Sequence, residues 1–227
     1  MKILTIGDVH GRNYWKDIDP LKYDLIIFVG DYTDSFTLGN LEIKKNLLDI
    51  IEFAKTNSDK VILLLGNHDL PYFWGEAHNI SGFRPEAIWD LNIIFRENRK
   101  LFKTAHQIDN YIWTHAGIHE GWYKKHMPDA IKKYELTGNL ADQLNHLFER
   151  NFDPLFAISH YRGGSAREGG PFWTDWNEMY KKPLPGYNHI FGHSFRDKPI
   201  KTYNINKNTT ITCVDRGVIP EFYELII

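Results

Sequence analysis

Five short apolar runs, each stopping where an aspartate, asparagine or histidine begins, limit what this chain can fold into. Ile3 to Ile6 leads into Gly7-Asp8-Val9-His10-Gly11, and Leu25 to Val29 into Gly30-Asp31-Tyr32-Thr33-Asp34. Val61 to Leu65 leads into Gly66-Asn67-His68-Asp69, Tyr111 to Thr114 into His115-Ala116-Gly117, and His189 to Phe191 into Gly192-His193. Apolar runs of this length bounded by glycine read as buried strands. Open sheets bind ligands beyond the carboxyl ends of their strands. All five polar sets can therefore converge on one site.

Asp8 and His10 are the sharpest pair. In extended backbone, side chains i and i+2 point to the same side, so a carboxylate and an imidazole are aimed together. Oxygen and nitrogen donors of this kind suit Mn, Fe, Zn or Ni. An aspartate opening a turn beside a locally packed histidine would leave the same two letters, and taken alone the pair does not decide between them. The same strand-end pattern, an apolar run followed by Asp, Asn or His, at four further places favours the metal.

Between these runs the pattern alternates. Trp15 to Pro20 reads as a short helix or turn. Asn40 reads as an N-cap for a helix whose apolar face is Ile43, Leu47, Leu48, Ile50, Ile51 and Ala54, ending near Thr56. With strands on either side, this is a parallel pair joined by a right-handed crossover. Pro71 to Phe83 is aromatic and irregular, with Tyr72, Phe73, Trp74 and His78. A helix follows from about Glu86 to Asn98, then a hairpin of Phe102–Ile108 and Tyr111–Thr114 turning at Asp109-Asn110. Further helices span Trp122 to Lys133 and, behind Asn139, Leu140 to Arg150. Tyr161 to Gly170 is a loop, and strands at His189–Phe191, Ile200–Asn204, Thr210–Val214 and Phe222–Ile226 close the chain. Helices early and hairpins late give a mixed, layered α/β fold. No repeat, low-complexity tract or linker interrupts it, so residues 1–227 read as a single domain.

At 227 residues the chain can bury a full core. A net charge of -2 gives no general attraction to nucleic acid or an anionic membrane. The single cysteine, Cys213, cannot form an internal disulfide. No apolar run is long enough to span a bilayer, and Met1 leads straight into a strand rather than a signal segment. These features are those of a cytoplasmic protein, and they leave the oligomeric state open.

The ordered motifs from Gly7 to His193 resemble the calcineurin-like metallophosphoesterases, most closely the phosphoprotein phosphatase branch that also holds bacterial diadenosine tetraphosphatases. The resemblance implies a four-layer α-β-β-α sandwich of two mixed sheets flanked by helices. It implies two divalent metals, with Mn2+ the leading choice and Fe, Zn, Ni or Mg the others. Asp8, His10 and Asp31 would hold the first; Asp31 would bridge to the second, completed by Asn67, His115 and His193. Paired cations stabilise both attacking and leaving oxygens of an in-line displacement and lower the pKa of bound water to about 7, which supplies a hydroxide nucleophile. His68 would be the general acid, with Asp34 fixing its tautomer and raising its pKa.

The motifs also depart from the branch pattern. Its protein phosphatases follow the second motif with Arg-Gly, and that arginine grips phosphate. Here Asp34 is followed by Ser35-Phe36, which leaves Arg12, Arg162 or Arg167 to bind substrate. A lone His193 tells against a cyclic-nucleotide phosphodiesterase. Asp215, in a late family motif, would orient a ligand imidazole or merely form a turn. The expected substrate is phosphorylated, a phosphoprotein or a nucleotide. The leading expectation is a phosphatase similar to Ser/Thr phosphatases, the alternative a symmetrical dinucleoside tetraphosphatase, and the non-enzyme reading a decayed metal-dependent scaffold. Tyr72, Phe73, Trp74, Trp122, Trp173 and Trp176 could stack a nucleobase, with core packing the better expectation. Histidines 78, 106, 119, 126, 146, 160 and 189 match no motif.

Overall fold

The computed structural model describes residues 1–76 and 80–227, so His78 lies outside the described residues. The chain gathers into two compact units, Met1–Lys103 with Arg216–Ile227, and Thr104–Asp215.

The first unit is built on a five-stranded mixed sheet. Strands β1 (Lys2–Ile6), β2 (Leu25–Phe28), β3 (Val61–Leu64) and β4 (Phe102–Lys103) run parallel, and β10 (Tyr223–Ile226) pairs antiparallel on the outer edge of β1. Ile3, Ile6, Ile26, Ile27 and Phe28 are completely buried, as expected of strands covered on both faces. Helix α1 (Asn40–Thr56) buries Ile43, Leu47, Ile50, Ile51 and Ala54. That spacing is one helical face, and each large side chain so buried is worth roughly 1.5–3 kcal/mol. Helices α2 (Leu70–Trp74) and α3 (Ile88–Glu97) follow. Two short 3-10 turns, Tyr14–Asp17 and Pro20–Lys22, occupy the segment after the first motif.

Asn40 is not the cap of α1. Gly39 holds that place, and its N–H donates to Glu42 Oε2 at 2.8 Å. The Asn40 side chain instead accepts from Arg84 Nη1 at 2.6 Å and donates to Glu86 Oε1 at 3.0 Å. A long-range partner took the side chain that local capping would have used.

The expected strand Phe102–Ile108 is broken into β4 and β5 (Ala105–Ile108), which belong to different sheets. Asn145 explains the break. Its Oδ1 accepts from the N–H of Thr104 at 2.8 Å and of Ala105 at 3.1 Å, and its Nδ2 donates to Ala105 O at 3.0 Å. Side-chain bonds stand where ladder bonds would otherwise continue one strand.

The second unit has its own mixed sheet, in the order β5, β6 (Tyr111–Thr114), β7 (Asn188–Phe191), β9 (Thr209–Cys213), β8 (Thr202–Asn206). β5 and β6 form the expected hairpin, while β6, β7 and β9 are parallel neighbours. Helices α4 (Glu120–Tyr134) and α5 (Leu140–Glu149) match expectation, and Asn139 Oδ1 caps α5 by accepting from Asp142 N at 2.9 Å. Helix α6 (Trp176–Lys181) was not anticipated. Its signal was present in Asp175-Trp176-Asn177-Glu178, a capping box in which Glu178 Oε2 accepts from Asp175 N at 2.7 Å. Met179 of α6 packs with Phe191, Ile211 and Cys213 in a buried cluster. The chain is thus α/β, with two mixed sheets flanked by helices.

Tyr72, Phe73 and Trp122 are core residues. Trp74 carries the Arg99 guanidinium 4.6 Å from its ring centroid. Trp173 and Trp176 are half-buried.

Candidate metal centre

The register of the first sheet brings three motifs to one level. Ile6 pairs with Phe28, and Phe28 with Leu63. The loops carrying Asp8, Asp31 and Asn67 therefore leave adjacent strands side by side. They are stitched together by backbone bonds from Val9 and His10 N–H to Asp31 O (3.1 and 2.7 Å) and from Gly11 N–H to Tyr32 O (3.0 Å).

The approach of these loops requires glycine. Gly30 has φ +104°, and a Cβ there would stand 2.3 Å from Gly66 N. At Gly66 an added Cβ would meet Asp31 Oδ1 at 2.1 Å. His10, Asp31 and Asp34 are themselves left-handed, at φ 47°, 53° and 56°. Non-glycine residues hold this conformation at a cost of order 1–3 kcal/mol each, and such strain clusters at functional sites.

One ligand-capable atom from each of Asp8, His10 and Asp31 lies within 4.8 Å of the other two, and His10 Nε2 is 3.6 Å from Asp31 Oδ2. Donors each about 2.0–2.2 Å from one ion stand at most about 4.4 Å apart, so slight side-chain rotation suffices. His10 Nδ1 lies 2.9 Å from Thr33 O. A carbonyl only accepts, so Nδ1 carries the proton and Nε2 presents its lone pair. Fixing the tautomer of a ligand histidine in this way is a recurrent device of metal sites. The donor set fits a divalent cation. Asn67 is buried in the loop after β3.

Sequence reasoning missed Asp69. Its buried carboxylate accepts from the N–H groups of Asp31 (2.8 Å), Tyr32 (2.8 Å), Thr33 (3.1 Å) and Gly66 (2.9 Å), and from Thr33 Oγ1 (3.0 Å). Burial and the nearby charge of Asp31 push its pKa up, and these hydrogen bonds oppose the shift. Its two oxygens together satisfy the four backbone N–H donors, while the Thr33 hydroxyl also donates to His68 O at 2.8 Å.

His68 Nδ1 lies 2.8 Å from Asp34 Oδ2, and the Tyr72 hydroxyl donates to Asp34 Oδ1. Arg84 N–H in turn donates to the Tyr72 hydroxyl at 2.9 Å. Burial pulls the His68 pKa down, but the charge of Asp31 and the hydrogen bond and charge of Asp34 outweigh it, raising it to about 9. The ring of His68 meets that of His10 edge to face, 5.1 Å between centroids.

The second unit repeats the arrangement. His115 follows β6, His193 follows β7 and Asp215 follows β9, all parallel neighbours. His115 Nε2 and His193 Nδ1 are 3.2 Å apart, and Gly192 N–H donates to His115 O at 2.8 Å. Two imidazole nitrogens at that separation either share a proton or face a common cation. His193 sits at φ 64°, with Trp173 edge-on at 5.7 Å. Asp215 is buried, and its carbonyl accepts from Arg196 N–H at 3.0 Å.

Arg162 lies within its own unit: its Nε is 2.8 Å from Asp175 Oδ2 as an ion pair without hydrogen-bond geometry, and its Nη2 donates to Ser194 Oγ at 2.5 Å. Arg167 is exposed beside Glu168. Arg12 donates from Nη2 to Asp8 O at 3.0 Å, and its Nε is buried with no hydrogen-bond partner among the described residues.

The sequence model of the calcineurin-like phosphoesterases matches residues 1–197. The chain belongs to that family. This phosphoesterase is a metal-dependent hydrolase of phosphorylated substrates, with a divalent metal centre. Among solved structures it resembles a cold-active protein-tyrosine phosphatase from a Shewanella species, with 17% identity, TM-score 0.52, and coverage of 94% of this chain and 70% of that one. It also resembles a protein serine/threonine phosphatase from Saccharomyces cerevisiae, with 14% identity, TM-score 0.50, and coverage of 94% and 67%. At these identities the likeness concerns the fold. No curated protein matches the sequence. No helix among the described residues is long and apolar enough to cross a membrane.

Proposed function

We propose that this phosphoesterase is a two-metal phosphomonoesterase in which Asp8, His10, Asp31, Asn67, His115 and His193 hold the ions, with Asp31 shared, and Mn2+ is the native choice. The observation that carries the reading is the clustering of Asp8, His10 and Asp31 beside the His68–Asp34 pair within one unit. The family match runs through all six ligand positions, which supports treating the two units as one catalytic domain. When bound, the ions supply charge neutralisation at phosphorus and an activated water.

The chain's own residues do the rest. His68 gives its Nδ1 proton to the hydrogen bond with Asp34, which leaves Nε2 to carry a second proton to the leaving oxygen. Its raised pKa keeps that proton in place at neutral pH. A cation on Asp31 would offset the largest contribution that raises it, while the hydrogen bond and charge of Asp34 and the charge of Asp69 would remain. Tyr72, donating to the other Asp34 oxygen, holds the carboxylate in line. Arg12 is the arginine best disposed to bind the phosphoryl group, because it lines the same cavity as His10 and His68 and a guanidinium presents a planar fork to phosphate.

Comparing a phosphopeptide with diadenosine tetraphosphate at equal enzyme, with Mn2+ added, tests the reading. Faster hydrolysis of the monoester is expected; a preference for the tetraphosphate would instead make the protein a dinucleoside tetraphosphatase.

A further inference from the structure

Where the phosphatase branch carries Arg-Gly, this chain has Ser35-Phe36, and the structure gives Phe36 an unusual place. Its side chain is 83% exposed, yet its loop is tightly held. Arg84 donates from Nη2 to the carbonyls of Ser35 and Leu38 and from Nη1 to Asn40 Oδ1. Inside the turn, Ser35 Oγ accepts from the N–H groups of Thr37 and Leu38, both at 3.3 Å. An aromatic ring displayed in water on a braced loop contributes nothing to the core, and preorganised display lowers the entropy cost of a ligand contact.

Phe36 lines a pocket of about 220 Å³ that it shares with His10, Arg12, His68, Gly82 and Val218. One edge of the ring faces Gly82, where a Cβ would lie 3.7 Å from Phe36 Cε1 and Cζ, so the glycine leaves that side open. Val218, 74% exposed, adds a second apolar surface. The same cavity is thus lined by the proposed proton donor His68, by Arg12 and by an apolar wall. Its volume falls below the roughly 300–1,000 Å³ of pockets for drug-sized ligands, which suits one ring better than a dinucleoside.

We propose that Phe36 is a specificity-determining residue whose ring packs against the aromatic leaving group of an aryl phosphomonoester, a phenol whose oxygen is bonded directly to phosphorus. The proposal rests on the phosphomonoesterase reading and narrows it to a leaving group. Hydrolysis breaks the P–O bond to the phenol, water supplies the new oxygen on phosphorus, and the phenolate takes its proton from His68.

The test measures kcat/KM of the metal-loaded full chain on phenyl phosphate and methyl phosphate, for the wild type, Phe36→Ala and Phe36→Tyr. Taking the ratio for each substrate between variant and wild type cancels the intrinsic reactivity of the two esters. The loss in Phe36→Ala is expected to be about tenfold larger for phenyl than for methyl phosphate and to lie in KM, with Phe36→Tyr restoring it, as befits an aromatic pair. Free phosphotyrosine and a phosphotyrosyl peptide, run alongside, distinguish a small-molecule from a protein source of the same ester. Equal losses on both probes, or none on either, would overturn the role of Phe36 while leaving the phosphomonoesterase reading intact. A wild type that hydrolyses neither ester overturns both.

Discussion

The Asp69 carboxylate accepts the backbone N–H of Asp31 at 2.8 Å from Oδ2, and the same oxygen accepts Gly66 N–H at 2.9 Å. One buried side chain thereby ties the loop after β2 to the loop after β3. The ligand-type residues Asp31 and Asn67 sit on these two loops, so Asp69 fixes the loops that carry them.

Asp69→Asn is the sharpest probe of that arrangement. Asparagine has one acceptor oxygen, and its NH2 would face N–H donors on the other side. Leaving buried donors unpaired costs about 1–3 kcal/mol each. A loss of about 3 kcal/mol is expected, read as a Tm lowered by roughly 6–12 °C for a chain of this size. Metal affinity, measured by calorimetry at a temperature where the variant is folded, is expected to fall with it. A variant with wild-type Tm and metal affinity would show that the loops need no such tie.

His68→Asn separates proton transfer from metal binding. The variant is expected to keep its metal content by elemental analysis and to lose roughly 10²–10⁴-fold in kcat on an alkyl phosphate, the usual range for general acid catalysis. The loss should shrink on p-nitrophenyl phosphate, whose leaving group departs without help. Unchanged turnover of the alkyl ester removes His68 from the reaction.

Arg12→Ala and Arg162→Ala together decide which arginine binds substrate. A charge-assisted hydrogen bond is worth about 1.5–3 kcal/mol, so losing the one from Arg12 is expected to raise KM about ten- to a hundredfold. Arg162 is held by Asp175 and Ser194, and its loss should act through the position of Ser194, next to His193, with a smaller effect on KM. The reverse order in steady-state kinetics would return the role to Arg162.

These residues also mark where the sequence was legible. The strand ends could be read because buried strands are apolar, glycine permits the tight approach at Gly30 and Gly66, and Asp, Asn or His comes next in the chain. Asn139 was readable as a cap because its partner is three residues away. Asn40 and Asn145 were not, since each spends its side chain on partners far along the chain, and Asp69, though it also accepts from nearby Gly66, makes most of its bonds to Asp31, Tyr32 and Thr33, which no local pattern records. The pairing of Arg162 with Asp175, the cap of α6, is a contact of the same kind.

His189 supplies a prediction about pH. It is buried in β7, where a single acceptor, Leu184 O, lies 2.9 Å from Nε2, so Nε2 carries the proton. Nδ1 is buried with no hydrogen-bond partner among the described residues. Desolvation holds the folded pKa down at about 4, against an ordinary value of 6.5, only partly offset by the bond to Leu184. Between those two values the unfolded chain binds a proton that the folded chain refuses, so stability is full above pH 6.5 and falls as the pH drops toward 4. At pH 5 the penalty is about 2 kcal/mol, or roughly 4–8 °C in Tm. His189→Gln keeps an N–H for the Leu184 carbonyl and does not titrate. Its Tm is therefore expected to decline less than the wild type's between pH 7.5 and pH 5, by that margin. The comparison with wild type cancels the carboxylates and metal ligands common to both, and parallel Tm–pH curves would show that His189 accepts its proton without strain.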